Sequence, residues 1–370
     1  MNFKIVHVCL NRSWGGQEMA CLEHALWMRQ AGLTVQILTL ADSELEKQCA
    51  LAQIPVKTLR RSGYFHPLES LRIYRWIRQI QPHTICFHQL KDLWLFGPIF
   101  HLLNETQFFG FSHTTLGVHK KGFFYKYLYS SLTKVIALSE FHKNNLLQMT
   151  PLHSAQVAVI PNPVDTEKYR PNFRSDSWRA QFTQDGSDML LGLIGRLDPQ
   201  KGQRETLQAL NLLWDRGIKN WHLIIVGEDT RNTPGTEKLL REFLRGKDYE
   251  TRVHFLGFQK NIPEIMASLD LFILPSYGET FGRVVIESMA SGTPVLASQA
   301  GGVPDLLQNG KYGFLFLPKD IVSLQQQLER VLTSTQFRTS LVQSAREYCL
   351  KTYSQNQVEK QILQLLKSSL

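Results

Sequence analysis

Leu274–Ser298, LPSYGETFGRVVIESMASGTPVLAS, decides how this chain is read. Ahead of it, Leu269–Pro275 (LDLFILP) is a short apolar run suited to a buried strand, and Pro275–Thr280 (PSYGET) is a turn rich in breaker residues. From Phe281 to Ala290 the apolar Val284, Val285, Ile286, Met289 and Ala290 recur at helical spacing. Ser291-Gly292-Thr293-Pro294 then stops the helix before a strand at Val295–Ala297. The stretch is a strand, loop, helix, strand unit, and repeated units of this kind build parallel sheets.

In an open parallel sheet, ligands bind beyond the carboxyl ends of the strands, where a helix start offers unpaired N–H groups and a positive dipole end. Thr280, Phe281, Gly282 and Arg283 sit at that position, and Gly282 lets a ligand approach the backbone. Glu279 precedes the helix and Glu287 lies about two turns along it, so both can accept hydrogen bonds from hydroxyls of one ligand. Alone, an acid there reads first as a helix cap or a solvated outer-face charge. Gly195-Arg196-Leu197-Asp198-Pro199-Gln200-Lys201-Gly202 gives a second loop between a strand and a helix. Arg196 can hold phosphate oxygens bidentately and Lys201 acts as a point charge, an arrangement that suits a diphosphate. Trp14-Gly15-Gly16-Gln17-Glu18 and Phe111-Ser112-His113-Thr114-Thr115 follow strands in the first half. By themselves they read as a turn and a packing histidine.

Taken together, these strings resemble the retaining glycosyltransferase family 4: the Glu-x7-Glu of Glu279 and Glu287 in its GETFG turn, the SGTPV exit, Gly301-Gly302-Val303-Pro304, the Gly-Arg-x4-Lys-Gly element and the Gly-Gly-x-Glu loop. The resemblance implies an α/β chain of GT-B fold, two Rossmann-like domains with parallel sheets facing across a cleft. It implies that Arg196 and Lys201 neutralise the diphosphate of a sugar donor and that Glu287 binds its ribose. Glu279 would hold a sugar hydroxyl, Gly16 would lie near the donor phosphate or the acceptor, and His113 would touch the transferred sugar. It also implies retention of anomeric configuration, a UDP-sugar as the commonest donor, and no cofactor or metal.

The chain has 370 residues, enough for two domains, and its 43% hydrophobic and 20% charged content is that of a globular protein. No apolar run is long enough to cross a bilayer, and MNFKIVHVCL enters a strand directly, unlike a signal peptide. Cys9, Cys21, Cys49, Cys86 and Cys349 are scattered and odd in number, which argues against disulfides and a zinc site and for a cytoplasmic protein. The formal charge of +9 is concentrated in residues 1–165, which hold 16 Lys and Arg against 10 Asp and Glu.

Strands and helices alternate throughout. The expected division is an acceptor domain at 1–170, a polar linker at Thr166–Asp188, and a nucleotide-sugar domain at 180–350; a helix at about 353–370 is expected to pack back on the first domain. His119–Tyr129, HKKGFFYKYLY, interleaves lysines with aromatics. It reads as an amphipathic helix with its apolar face inward, or as an acceptor or anionic-membrane patch carried by Lys120, Lys121 and Lys126 and extended by Arg72, Arg75 and Arg78.

The function expected is transfer of a hexose-type sugar from a nucleoside-diphosphate sugar to a hydroxyl of a glycan or of a lipid-linked, lipopolysaccharide-type acceptor, with peripheral association at the inner membrane face. Two rivals remain: a nucleotide-sugar epimerase of the same architecture, and a nucleic-acid-binding protein, for which the sequence offers charge but no recognised motif.

Overall fold

The computed structural model describes residues 3–64, 66–183, 188–230 and 233–368. The chain divides into two compact units, Met1–Pro161 with Glu359–Leu370, and Asn162–Val358.

The first unit is built on seven strands: β1 (Lys4–Cys9), β2 (Thr34–Leu40), β3 (Val56–Leu59), β4 (Thr84–Phe87), β5 (Gln107–Phe111), β6 (Lys134–Ala137) and β7 (Val157–Val159). They pair in parallel in the order β3-β2-β1-β4-β5-β6-β7. All of β4 is buried, as is β1 after Lys4. Covered on both faces, such strands read as mostly apolar runs in the sequence, here interrupted by the buried polar His7 and Thr84.

The second unit carries β8 (Met189–Ile194), β9 (Trp221–Val226), β10 (Val253–Gly257), β11 (Leu271–Leu274), β12 (Val295–Ser298) and β13 (Phe314–Phe316), parallel in the order β10-β9-β8-β11-β12-β13. Each sheet reverses its strand order once, between β1 and β4 and between β8 and β11. At such a reversal the flanking connections diverge to opposite faces and leave a crevice beyond the carboxyl ends.

Thr166–Asp188, expected as a linker, lies instead within the second unit. Its short helix Asp176–Arg179 is capped by Ser175, whose hydroxyl accepts from the Trp178 N–H. Arg179 is nearly buried and pairs with Asp270 at 2.7 Å, tying the segment to the start of β11. The terminal helix is Gln355–Ser368, and its residues from Glu359 group with the first unit.

One face of the first sheet has an unusual chemical character. Cys9 at the end of β1, Cys86 in β4, Cys21 on the Gly16–Gln30 helix and Cys49 on the Glu44–Leu51 helix are all buried free thiols. Burial raises Cys21 far above the usual thiol range, with Cys9 bonded beside it, and pushes Cys49 up to about 12. The fifth cysteine, Cys349, is buried in the second unit.

Candidate active site

In the second unit, the loops after β8 and β11 form one pocket at the reversal point, lined by Gly195, Arg196, Lys201, Glu279, Gly282 and Arg283 among others. Arg196 and Lys201 meet Glu279, 83 and 78 positions away in sequence, because β8 and β11 are neighbours in the sheet. Lys201 Nζ donates to Glu279 Oε1 at 2.5 Å, with both side chains largely buried. Arg196 is exposed, and its carbonyl accepts from Gln203 Nε2 at 2.9 Å, which fixes the turn that carries it.

The two loops are tied together by backbone. Tyr277 N–H donates to the Gln200 carbonyl at 2.9 Å, and Gly302 N–H donates to the Glu279 carbonyl at 2.8 Å. Gly301 has φ of 62°, and a Cβ there would stand 1.9 Å from the Glu279 carbonyl oxygen. Gly202, with φ of 72°, would place its Cβ 2.2 Å from the Pro275 carbonyl oxygen. Only glycine satisfies both the left-handed backbone and the close approach, so these two residues hold the acid and the lysine in place.

The helix behind the pocket is Arg283–Ala290, with Gly282 as its N-cap in the left-handed region. The sequence placed the helix start at Phe281, but Phe281 is nearly buried and packs edge-on against Tyr353, so its side chain belongs to the core. Thr280 is partly buried between Glu279 and Phe281. Glu287 does not line the pocket; it is hydrogen-bonded to Tyr169, whose hydroxyl is raised above the usual phenol range by burial and then by that acid.

Two contributors escaped the sequence reading. Tyr169 lies 118 positions before Glu287, and no local pattern links them. Ser276 is buried at the end of β11 and lines the pocket with its Oγ lacking a hydrogen-bond partner among the described residues. A buried hydroxyl without a partner favours a polar ligand beside it.

In the first unit, Gly15 and Gly16 open the helix Gly16–Gln30 just beyond β1. Glu18, nearly buried, accepts from the Gly15 N–H at 2.9 Å and from Asn11 Nδ2 at 2.7 Å, fixing this loop. A Cβ added at Gly16 meets nothing within 4 Å, so the space beside it is open. His113 follows β5, and its Nε2 lies 3.1 Å from Nδ1 of His88, the residue just after β4.

The sequence spacing argued against a metal site, yet His7, Cys21 and His88 each bring one ligand atom within 4.8 Å of the others. Positions 7, 21 and 88 converge because β1 and β4 are neighbours and the Gly16–Gln30 helix covers them. His7 and His88 already satisfy each other directly at 2.9 Å.

The lysine-aromatic segment corrects the inward-facing reading. The helix Phe123–Ser130 buries Leu128 and Tyr129, while Phe123 is 80% exposed and Phe124 66% exposed. Val118 and Tyr64 are exposed nearby in sequence or by ring contact, Tyr64 through Trp94 and Trp94 through Phe124. Lys121 and Lys126 are exposed; Lys120 is partly buried, which lowers its pKa. Arg72 and Arg75 line a different groove with Lys57 and Arg60, and Arg78 lines another with His83.

Two Rossmann-like units of parallel strands, with a basic and acidic pocket at a strand-order reversal, define the GT-B class of fold. Residues 14–168 match the model described as Glycosyltransferase Family 4, and residues 174–348 match that described as Glycosyl transferases group 1. The chain belongs to glycosyltransferase family 4.

Over 247 residues the chain is 28% identical to an uncharacterised glycosyltransferase of Methanocaldococcus jannaschii, covering 63% of this chain and 60% of that one. Over 198 residues it is 32% identical to the sulfoquinovosyl transferase of Arabidopsis thaliana, covering 52% of this chain and 36% of that one. The chain thus spans about half the length of the curated relatives it matches. Among solved structures, the Anabaena protein Alr3699/HepE in complex with UDP and glucose has the same fold, with a TM-score of 0.79 at 24% identity over 99% of this chain and 100% of that one.

Proposed function

We propose that this protein is a retaining glycosyltransferase that moves a hexose-type sugar from a nucleoside-diphosphate sugar, with UDP as the nucleotide, to a hydroxyl of a glycan or a lipid-linked, lipopolysaccharide-type acceptor. One observation carries the reading: Arg196, Lys201 and Arg283 share a pocket with Glu279 at the carboxyl edge of the second sheet. Three cations match a diphosphate, and a carboxylate beside them matches a sugar hydroxyl.

In this reading Arg196 and Lys201, with the N-terminal N–H groups of the Arg283–Ala290 helix, stabilise charge as it develops on the departing nucleoside diphosphate. These fixed cations take the role a divalent ion plays at other phosphate sites, so the transfer needs no metal. Glu279 binds a hydroxyl of the sugar. The acceptor hydroxyl attacks from the leaving-group face and its proton passes to the diphosphate, which gives retention. Glu287 with Tyr169 is the ribose-binding pair; in the first unit, the family pattern assigns His113 to the transferred sugar and Gly16 to the donor phosphate or the acceptor. Family membership and the UDP and glucose bound by the Anabaena protein support the donor class.

The exposed Phe123 and Phe124 beside Lys121 and Lys126 support peripheral association with an anionic inner-face membrane, where aromatic rings enter the interface and lysines meet lipid phosphates. Among the described residues no helix is long and apolar enough to cross a membrane.

The test is thermal denaturation with UDP, GDP, ADP and CMP for the native chain and for Arg196→Ala and Lys201→Ala. A ligand at a hundred times its Kd stabilises the fold by about 2.7 kcal/mol. The expected result is a shift with UDP that both substitutions reduce by half or more. A folded protein whose midpoint no nucleotide moves would refute the donor site.

A further inference from the structure

Behind His113 three buried side chains stand in line. His88 Nδ1 is 3.1 Å from His113 Nε2, with the ring planes 11° apart. His88 Nε2 is 2.9 Å from His7 Nδ1, and His7 Nε2 is 3.3 Å from the Met28 sulfur. His7 and Met28 are fully buried and His88 is 1% exposed. The line crosses the reversal point of the first sheet, from the Gly16–Gln30 helix through β1 and the end of β4 to the end of β5.

A neutral imidazole carries one N–H and one bare nitrogen, so each contact in such a line takes one hydrogen. Burial keeps His7 neutral, with its pKa lowered to about 3. His88 is lowered well below the usual histidine value by burial and then by His7, His113 and His24 around it. The thioether of Met28 accepts a hydrogen and has none to give. The direction of every bond follows from that one fact. His7 must carry its hydrogen on Nε2, which leaves Nδ1 bare; His88 must then donate from Nε2, which leaves its Nδ1 bare; His113 must donate from Nε2.

We propose that Met28, His7 and His88 are positioning residues that lock His113 as the Nε2–H tautomer, with Nδ1 as a hydrogen-bond acceptor. At Nδ1 His113 then accepts a hydrogen, as a hydroxyl would supply, and does not donate one to a carbonyl or a phosphoryl oxygen. The identity of that hydroxyl as one on the transferred sugar rests on the transferase reading; the tautomer does not.

The experiment is nitrogen-15 NMR of the imidazoles in the full chain without ligand, with the His113 signals assigned by their loss in His113→Asn. The expected spectrum has His113 Nδ1 at the pyridine-type position and Nε2 at the pyrrole-type position. Met28→Leu keeps the core volume but removes the sulfur that sets the direction. In that variant His113 should become a mixture of tautomers, and turnover should fall by at most about twofold as the competent fraction drops toward half. A native spectrum with hydrogen on Nδ1, or a His113 spectrum unchanged by Met28→Leu, overturns the proposal whether or not the protein transfers sugar. So does a stoichiometric soft metal in the purified protein, since an ion held by His7, Cys21 and His88 would replace the 2.9 Å contact.

Discussion

Lys201 and Glu279 hold each other at 2.5 Å, so an incoming diphosphate competes with a carboxylate for the ammonium group. Removing that competition separates the two halves of a donor. With Glu279→Gln, UDP alone should bind as well or more tightly, while a UDP-sugar should lose its advantage over UDP, and calorimetry with both ligands reads the ratio. An equal loss for both would show that Glu279 supports the loop and not the sugar. Lys201→Ala should weaken UDP by about 1.5–3 kcal/mol, the range for a hydrogen bond to a charged group. Gly301→Ala should be costlier to the fold, because the left-handed backbone and the Glu279 carbonyl both oppose a Cβ. We expect at least about 2 kcal/mol of destabilisation in urea.

The helix Phe123–Ser130 shows how an element can be recognised and its facing misread. Its apolar residues outnumber what one short helix can bury, and the surplus, Phe123 and Phe124, faces solvent. Replacing both with Ala should reduce pelleting with anionic vesicles and leave the melting temperature nearly unchanged, since exposed side chains contribute little to folding; unchanged pelleting would remove the membrane role. Elements were legible where local chemistry was strong. β8 and β11 are unbroken apolar runs, β1 and β4 are mostly apolar, and the loops at Gly195 and Glu279 announce themselves by breakers beside charge. β13 is only three residues, too short for a period to appear, and the Thr236–Leu244 helix went unremarked despite its apolar stripe. The Glu287–Tyr169 bond and the His7, His88 and His113 line depend on strand order, which no sequence window contains. The 166–188 segment read as a linker from its polarity, but Arg179 and Asp270 anchor it.

At the scale of the molecule, buried histidines govern the response to acid. His7, His88, His142 and His254 are neutral when folded, the first lowered to about 3 and the last two to about 4 by burial. Unfolded, they charge below about pH 6.5, so their stabilisation is present above that value and is lost as pH falls toward the folded values. Asp92 acts in the opposite direction: burial raises it to about 7, and its contribution, complete below about pH 3.8, disappears as pH rises through 7. Near pH 5.5 four histidines outweigh one aspartic acid by about three protons, so stability should fall by roughly 4 kcal/mol per unit of acidification. Urea midpoints between pH 7 and 5 check this; a flat profile would contradict it. The five buried thiols have a separate use. An alkylating reagent reaches a thiol only when the structure around it opens, so labelling rates become clocks for opening. Cys349 times the second unit and the other four time the first, and mass spectrometry of the labelled peptides would tell whether the two units breathe together or each at its own rate.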